Sequence, residues 1–129
     1  MLKKSHCYQS TVQRGDQTGR RFIYPTINLN PSVLSKSLKR GVYASRVTIA
    51  DQTYFGALYF GPRVVKKEKH DVLEIYLLDF TSELELYGQP VEFSLEKFIR
   101  GVVDFPHLND LREQISKDIL AVKEALNEK

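Results

Sequence analysis

A chain of 129 residues and 14.9 kDa is long enough for one well-buried core and too short for two, so a single domain is expected over residues 1–129. Lys and Arg exceed Asp and Glu by 19 to 16, giving a net charge of +3 and a pI near 9.0; this mild, interspersed excess excludes a polybasic arm and suits an anionic small ligand such as a nucleotide as well as it suits nucleic acid. One cysteine, Cys7, excludes an intramolecular disulfide, and there is no apolar leader or membrane-length stretch, so a soluble cytoplasmic protein with no membrane partner is expected.

Residues 5 to 12, S-H-C-Y-Q-S-T-V, are rich in β-compatible side chains and read as a first strand. The next stretch, G-D-Q-T-G-R-R-F-I-Y-P-T-I-N from Gly15 to Asn28, begins as a flexible basic loop carrying Gly15, Gly19, Arg20 and Arg21. It stiffens at Pro25, which pushes Tyr24 and the residues beyond the proline toward extended chain. Residues two apart in extended chain share a side, so Thr26 and Asn28 converge on one point while Ile27 turns toward a core. Two neutral hard oxygens make a poor cage alone, yet they suit Mg²⁺ that takes its other ligands from water and nucleotide phosphates. Arg20, Arg21 and the loop amides offer donors to those same phosphates. Thr and Asn beside a proline also simply close turns, and spacing does not choose between the two readings.

After Asn28, N-P-S-V-L-S-K-S-L-K-R accommodates one helical turn, capped by Asn30 or Ser32 with Pro31 early in it. Gly41 to Ile49 and Gln52 to Phe60 are β-rich runs parted by Ala50-Asp51, which predicts a hairpin. Val72 to Phe80 alternates as a strand, with Leu73, Ile75 and Leu77 on one face and Glu74, Tyr76 and Leu78 on the other. A turn at Leu86 to Pro90 leads to V-E-F-S-L-E-K-F-I, expected as one further strand. From about Leu108 to Leu126 the period changes, and Leu111, Ile115, Ile119, Val122 and Leu126 form the stripe of an amphipathic helix. Successive antiparallel strands and one terminal helix predict a small all-β barrel with the helix packed on it.

Glu74 is unusual, because glutamate is depleted in strands and here sits among large apolar residues. It is either a general base beside a bound Mg-nucleotide or a surface carboxylate paired with a cross-strand Lys or Arg. His6, His70 and His107 share no ligand spacing with Cys7, and no Ser-His-Asp order, Walker-type loop or CxxC pair occurs.

Taken together these segments resemble the riboflavin kinase family, whose domain in many bacteria is fused behind an FAD synthetase domain. G-R-R-F-I-Y-P-T-I-N at Gly19 to Asn28 is similar to the family's G-R-x-x-G-x-P-T-A-N. Gly41-Val42-Tyr43 resembles its G-V-Y strand, Gly61 and Arg63 its N-I-G-x-R-P-T segment, and Glu74 to Phe80 through Leu86-Tyr87-Gly88 its E-x-x-L-L-D-F…L-Y-G block. Arg100 to Phe105 and Gln114-Ile115-Ser116-Lys117-Asp118 resemble its last strand segment and its helix motif Q-I-x-x-D.

The resemblance implies a six-stranded Greek-key antiparallel barrel with a long C-terminal helix. It implies Mg²⁺ and ATP on one side, riboflavin on the other, and FMN and ADP as products, with no nucleic-acid partner. It implies Thr26 and Asn28 as metal ligands, Glu74 as the base, nucleotide contacts from Gly15, Gly19, Arg20, Arg21, Thr26 and Asn28, and flavin contacts from Arg100 and Phe105. Ile23 stands where the pattern has glycine, Tyr59 where it has asparagine, Val64 and Val65 where it has P-T, and Val102 where it has an acid. Two alternatives therefore stay open: a flavin- or nucleotide-binding module without efficient turnover, and a barrel binding single-stranded nucleic acid through aromatics such as Tyr54 and Tyr59.

Overall fold

The computed structural model describes residues 7–13, 25–62, 70–80, 85–103 and 107–127. Among them, seven strands and one helix occur in this order: β1 (Cys7–Thr11), β2 (Thr26–Leu29), β3 (Gly41–Ile49), β4 (Gln52–Pro62), β5 (Asp71–Leu77), β6 (Pro90–Ser94), β7 (Lys97–Gly101) and α1 (Leu108–Asn127). A short 3₁₀ turn, Pro31–Val33, comes after β2; Asn30 caps it by accepting the Ser32 N–H at 3.0 Å, and Pro31 takes the first position, where no N–H is needed.

The sheet runs β1-β6-β3-β4-β5-β2, and every pairing is antiparallel. Its two ends approach each other where the Gln13 N–H donates to the Asn28 carbonyl at 2.7 Å, so the sheet curls into a half-barrel. β7 is a seventh strand attached to β3, against the six expected. The expected single strand V-E-F-S-L-E-K-F-I is divided at Leu95-Glu96, and both halves pair with the same edge of β3. The interruption has a side-chain cause: the Ser94 hydroxyl accepts the Arg46 N–H at 3.2 Å and donates to Glu96 at 2.6 Å, replacing a ladder bond with a side-chain bond. The β5 ladder also ends earlier than expected, at Leu77, because the chain turns through Asp79 at φ 58°.

The β3–β4 hairpin forms as expected around Ala50 (φ 51°) and Asp51 (φ 67°), the left-handed pair whose twist matches the flanking strands. Gly41 opens β3 at φ 151°, and a Cβ there would lie 2.1 Å from the Arg100 carbonyl, so only glycine lets β7 come this close.

The inner face of the curl is one apolar cluster that includes Ile27, Tyr43, Val47, Leu58, Phe60, Leu73, Ile75, Leu77 and Phe93. Tyr43 sits in it with its hydroxyl donating to the Lys39 carbonyl at 2.7 Å, and burial, with a smaller contribution from Tyr8, raises its pKa. The outer face carries a second cluster, in which Ile119, Val122 and Leu126 of α1 lie on Ala44, Ala57, Tyr76 and Leu78. The two alanines leave room for the helix to approach the sheet. Thus the helical stripe and the two faces of β5 fall where the sequence periodicities put them.

Ser45, between Tyr43 and Val47 on the inner side of β3, is 0% exposed, and its hydroxyl has no hydrogen-bond partner among the described residues. A buried hydroxyl left unpaired is a net cost, so Ser45→Ala is expected to leave stability unchanged or raise it by about 1 kcal/mol in urea unfolding. A clear loss of stability would mean that the hydroxyl is paired in solution.

Candidate functional site

Sheet register is what assembles the site. Asn28 on β2 is the partner of Glu74 on β5, Glu74 of Tyr59 on β4, Tyr59 of Val42 on β3, and Val42 of Arg100 on β7. Partners in an antiparallel ladder point to the same face, with Cβ atoms about 4.5–5.5 Å apart. One row of side chains therefore crosses the outer face of five strands, and it contains three of the candidate site residues, Asn28, Glu74 and Arg100, together with the altered position Tyr59. The next row, Thr26, Tyr76, Ala57 and Ala44, lies two residues along each strand, and its Tyr76, Ala57 and Ala44 lie under the helix.

On β2 the outer-facing Thr26 and Asn28 are half-buried, while Ile27 and Leu29 between and beyond them are 1% and 3% exposed in the core. The extended geometry expected after Pro25 is therefore present, and the two oxygen-bearing side chains share a face. Glu74, directly opposite Asn28, is 8% exposed. It does not lie on a wet sheet face, and its neighbours in the ladder register are Asn28 and Tyr59.

At the far end of the row, Arg100 is tied to the helix. Its Nε and Nη2 donate to the two carboxylate oxygens of Asp118, each at 2.8 Å, and its Nη1 donates to the Gly101 carbonyl at 2.9 Å. Asp118 also accepts from the Gln114 amide at 3.0 Å. The side chains are 19% and 6% exposed, so this is a fork-to-fork ion pair largely shut off from water. The helix motif Q-I-x-x-D thus holds Arg100 in place, a link that sequence reasoning missed. Asp118 falls among Ile115, Ile119 and Val122 on the apolar stripe, and a carboxylate in that position signals a buried cationic partner.

Two of the altered positions meet around Gly61. The Tyr59 hydroxyl donates to the Pro62 carbonyl, so the ring leans along β4 across Gly61. A Cβ on Gly61, whose φ is 153°, would lie 3.0 Å from that hydroxyl and 3.2 Å from Cγ2 of Val102. Where the family pattern carries an amide and an acid, this chain places an aromatic ring and an aliphatic side chain on either side of a bare Cα.

Among the described residues no cluster of three His, Cys, Asp or Glu side chains could cage a metal. The donors that are grouped, the Thr26 hydroxyl and the Asn28 amide oxygen with the Glu74 carboxylate on the next strand, are hard oxygens. Few and mostly neutral, they fit Mg²⁺ arriving with phosphates rather than a resident structural metal. The expected nucleotide residues Gly15, Gly19, Arg20 and Arg21 lie outside the described residues, as do Ile23, Arg63, Val64, Val65 and the expected flavin residue Phe105.

The riboflavin kinase family model (Flavokinase) matches residues 2–126. A bifunctional riboflavin kinase/FMN adenylyltransferase from Buchnera aphidicola of Schizaphis graminum is 35% identical over 132 residues, covering 98% of this chain and 41% of its own length. The chain thus spans about two fifths of that relative. Among solved structures, a Streptococcus pneumoniae protein described as a macrolide-efflux protein superposes with a TM-score of 0.75 at 25% identity, over 97% of this chain and 40% of that one. Riboflavin kinase from Trypanosoma brucei superposes with a TM-score of 0.62 at 22% identity, over 95% and 80%, and shares the fold. With a family model spanning nearly every residue and the same curled sheet and terminal helix in the solved structures, the chain belongs to the riboflavin kinase family.

Proposed function

We propose that this chain transfers the γ-phosphoryl group of ATP to the 5′-hydroxyl of riboflavin, giving FMN and ADP, and that it does so in the cytoplasm. The observation that carries the reading is the register of β2 on β5, which pairs Asn28 with the buried carboxylate of Glu74. In the proposed reaction the riboflavin hydroxyl oxygen bonds to the γ-phosphorus and the bond to the ADP bridging oxygen breaks. Glu74 accepts the hydroxyl proton. Thr26 and Asn28 hold Mg²⁺, which when bound neutralises charge on the phosphates. Gly15, Gly19, Arg20 and Arg21 contact the nucleotide, and Phe105 and the Arg100 segment serve the flavin side, with Arg100 fixed by Asp118.

The test is direct: protein, riboflavin, ATP and Mg²⁺ are incubated, and FMN is separated from riboflavin. Riboflavin binding without FMN after many hours at saturating Mg-ATP would replace the kinase by a flavin-binding module, the reading that the substitutions at Tyr59 and Val102 favour. The natural partner of such a domain would be an FMN adenylyltransferase domain, as in the bifunctional relative.

Thr26→Ala and Asn28→Ala are each expected to raise the Mg²⁺ or Mg-ATP requirement roughly tenfold or more, the worth of one contact to a charged group at about 1.5–3 kcal/mol, with riboflavin binding nearly unchanged. An unaltered response of both variants to limiting Mg²⁺ would remove these side chains from the metal site.

A further inference from the structure

We infer that Tyr59 is a positioning residue for Glu74, its ring forming the wall that holds the carboxylate in the sheet face and keeps water from it; this rests on the kinase reading above. Three observations carry it. Tyr59 and Glu74 are ladder partners, so both side chains leave the same face of adjacent strands. The Tyr59 ring is fixed at both ends, by its strand and by the bond from its hydroxyl to the Pro62 carbonyl, and that bond crosses Gly61, whose bare Cα makes room for it. Glu74 is 8% exposed, although among the described residues the apolar stripe of α1 packs on the neighbouring row, at Ala57 and Tyr76, and α1 reaches Glu74's own row at Arg100.

In Glu74's own row the residues on either side are Asn28 and Tyr59, and the aromatic ring is the larger body. Val102, just beyond β7, also approaches Gly61, so the two departures from the family pattern meet at that bare Cα. A general base works only when held within hydrogen-bond reach of its proton, and a ring that cannot rotate away restricts where the carboxylate can go.

The test is a double-mutant cycle in FMN formation with wild type, Y59A, E74Q and Y59A/E74Q, together with Y59F and thermal melts of each. Y59A is expected to lower kcat on the order of ten- to a hundredfold, the cost of a misplaced catalytic group, with KM for Mg-ATP unchanged. Y59F, which keeps the ring but loses its anchor on the Pro62 carbonyl, is expected to fall between Y59A and wild type. In the E74Q background Y59A is expected to change nothing further, a result that general loss of packing would not give. Additive effects of Y59A and E74Q, or Y59A as fast as wild type or faster, would overturn the inference and leave Glu74 as the base. E74Q as fast as wild type would overturn the role of Glu74 and this inference with it. Should Y59A not fold, Y59L completes the same cycle with the volume kept.

Discussion

Glu74→Gln is expected to lower kcat for FMN formation by about 10² to 10⁴, the usual worth of a positioned general base and roughly 3 to 5 kcal/mol of barrier. The substitution keeps the shape of the side chain and its place between Asn28 and Tyr59 while removing the proposed proton acceptor. Because the loss falls on the transition state, riboflavin affinity and the KM for Mg-ATP are expected to move little. A primary alcohol is a very weak acid, so an enzyme deprived of its base retains only what positioning and charge neutralisation supply. Equal rates for wild type and Glu74→Gln would assign the carboxylate a purely structural place in β5. A large rise in riboflavin KM with kcat unchanged would make it a substrate-binding group.

The largest effect on stability is expected at Asp118. Replacing it by alanine leaves the Arg100 guanidinium, 19% exposed, facing the underside of α1 without its two bonds, and breaking a buried pair costs about 3–5 kcal/mol. For a domain of this size that is a large share of the whole stability. Asp118→Asn keeps one acceptor and is expected to lose less. Replacing both partners by leucine is expected to restore much of the stability, since the cost comes from the stranded charge rather than from the missing attraction. Urea unfolding of the four proteins measures this, and it would argue against a buried pair if Asp118→Ala unfolded at the same midpoint as wild type.

Much of this could be read from the chain. The β3–β4 hairpin, the two faces of β5 and the terminal helix stem from period and turn chemistry, and they form where expected because local preference and burial agree there. The break at Leu95-Glu96 was not legible, because it depends on the Ser94 hydroxyl capturing an amide of β3, 48 residues away in sequence. For the same reason the site was legible only as parts. Thr26 with Asn28, and Glu74, each stood out by residue type and spacing. That Asn28 and Glu74 face each other is a fact of register between strands distant in the chain, which no local pattern encodes. The Arg100–Asp118 pair and the Tyr59–Gly61–Val102 group are likewise long-range.

The place of β2 in the sheet has a further consequence. This strand is four residues long, bonded along one side to β5 and on the other touched, among the described residues, by one bridge from Gln13. β3 and β4, by contrast, are nine and eleven residues long and sit inside the sheet. Stability is distributed unevenly in such an arrangement, and short edge segments open at a smaller free energy than the central ladder. Warming or mild denaturant would therefore unzip β2 while most of the strand content persists, and with it go Thr26 and Asn28, the proposed magnesium ligands. Loss of Mg-nucleotide binding would then mark the first cooperative unit to come apart rather than the unfolding of the domain.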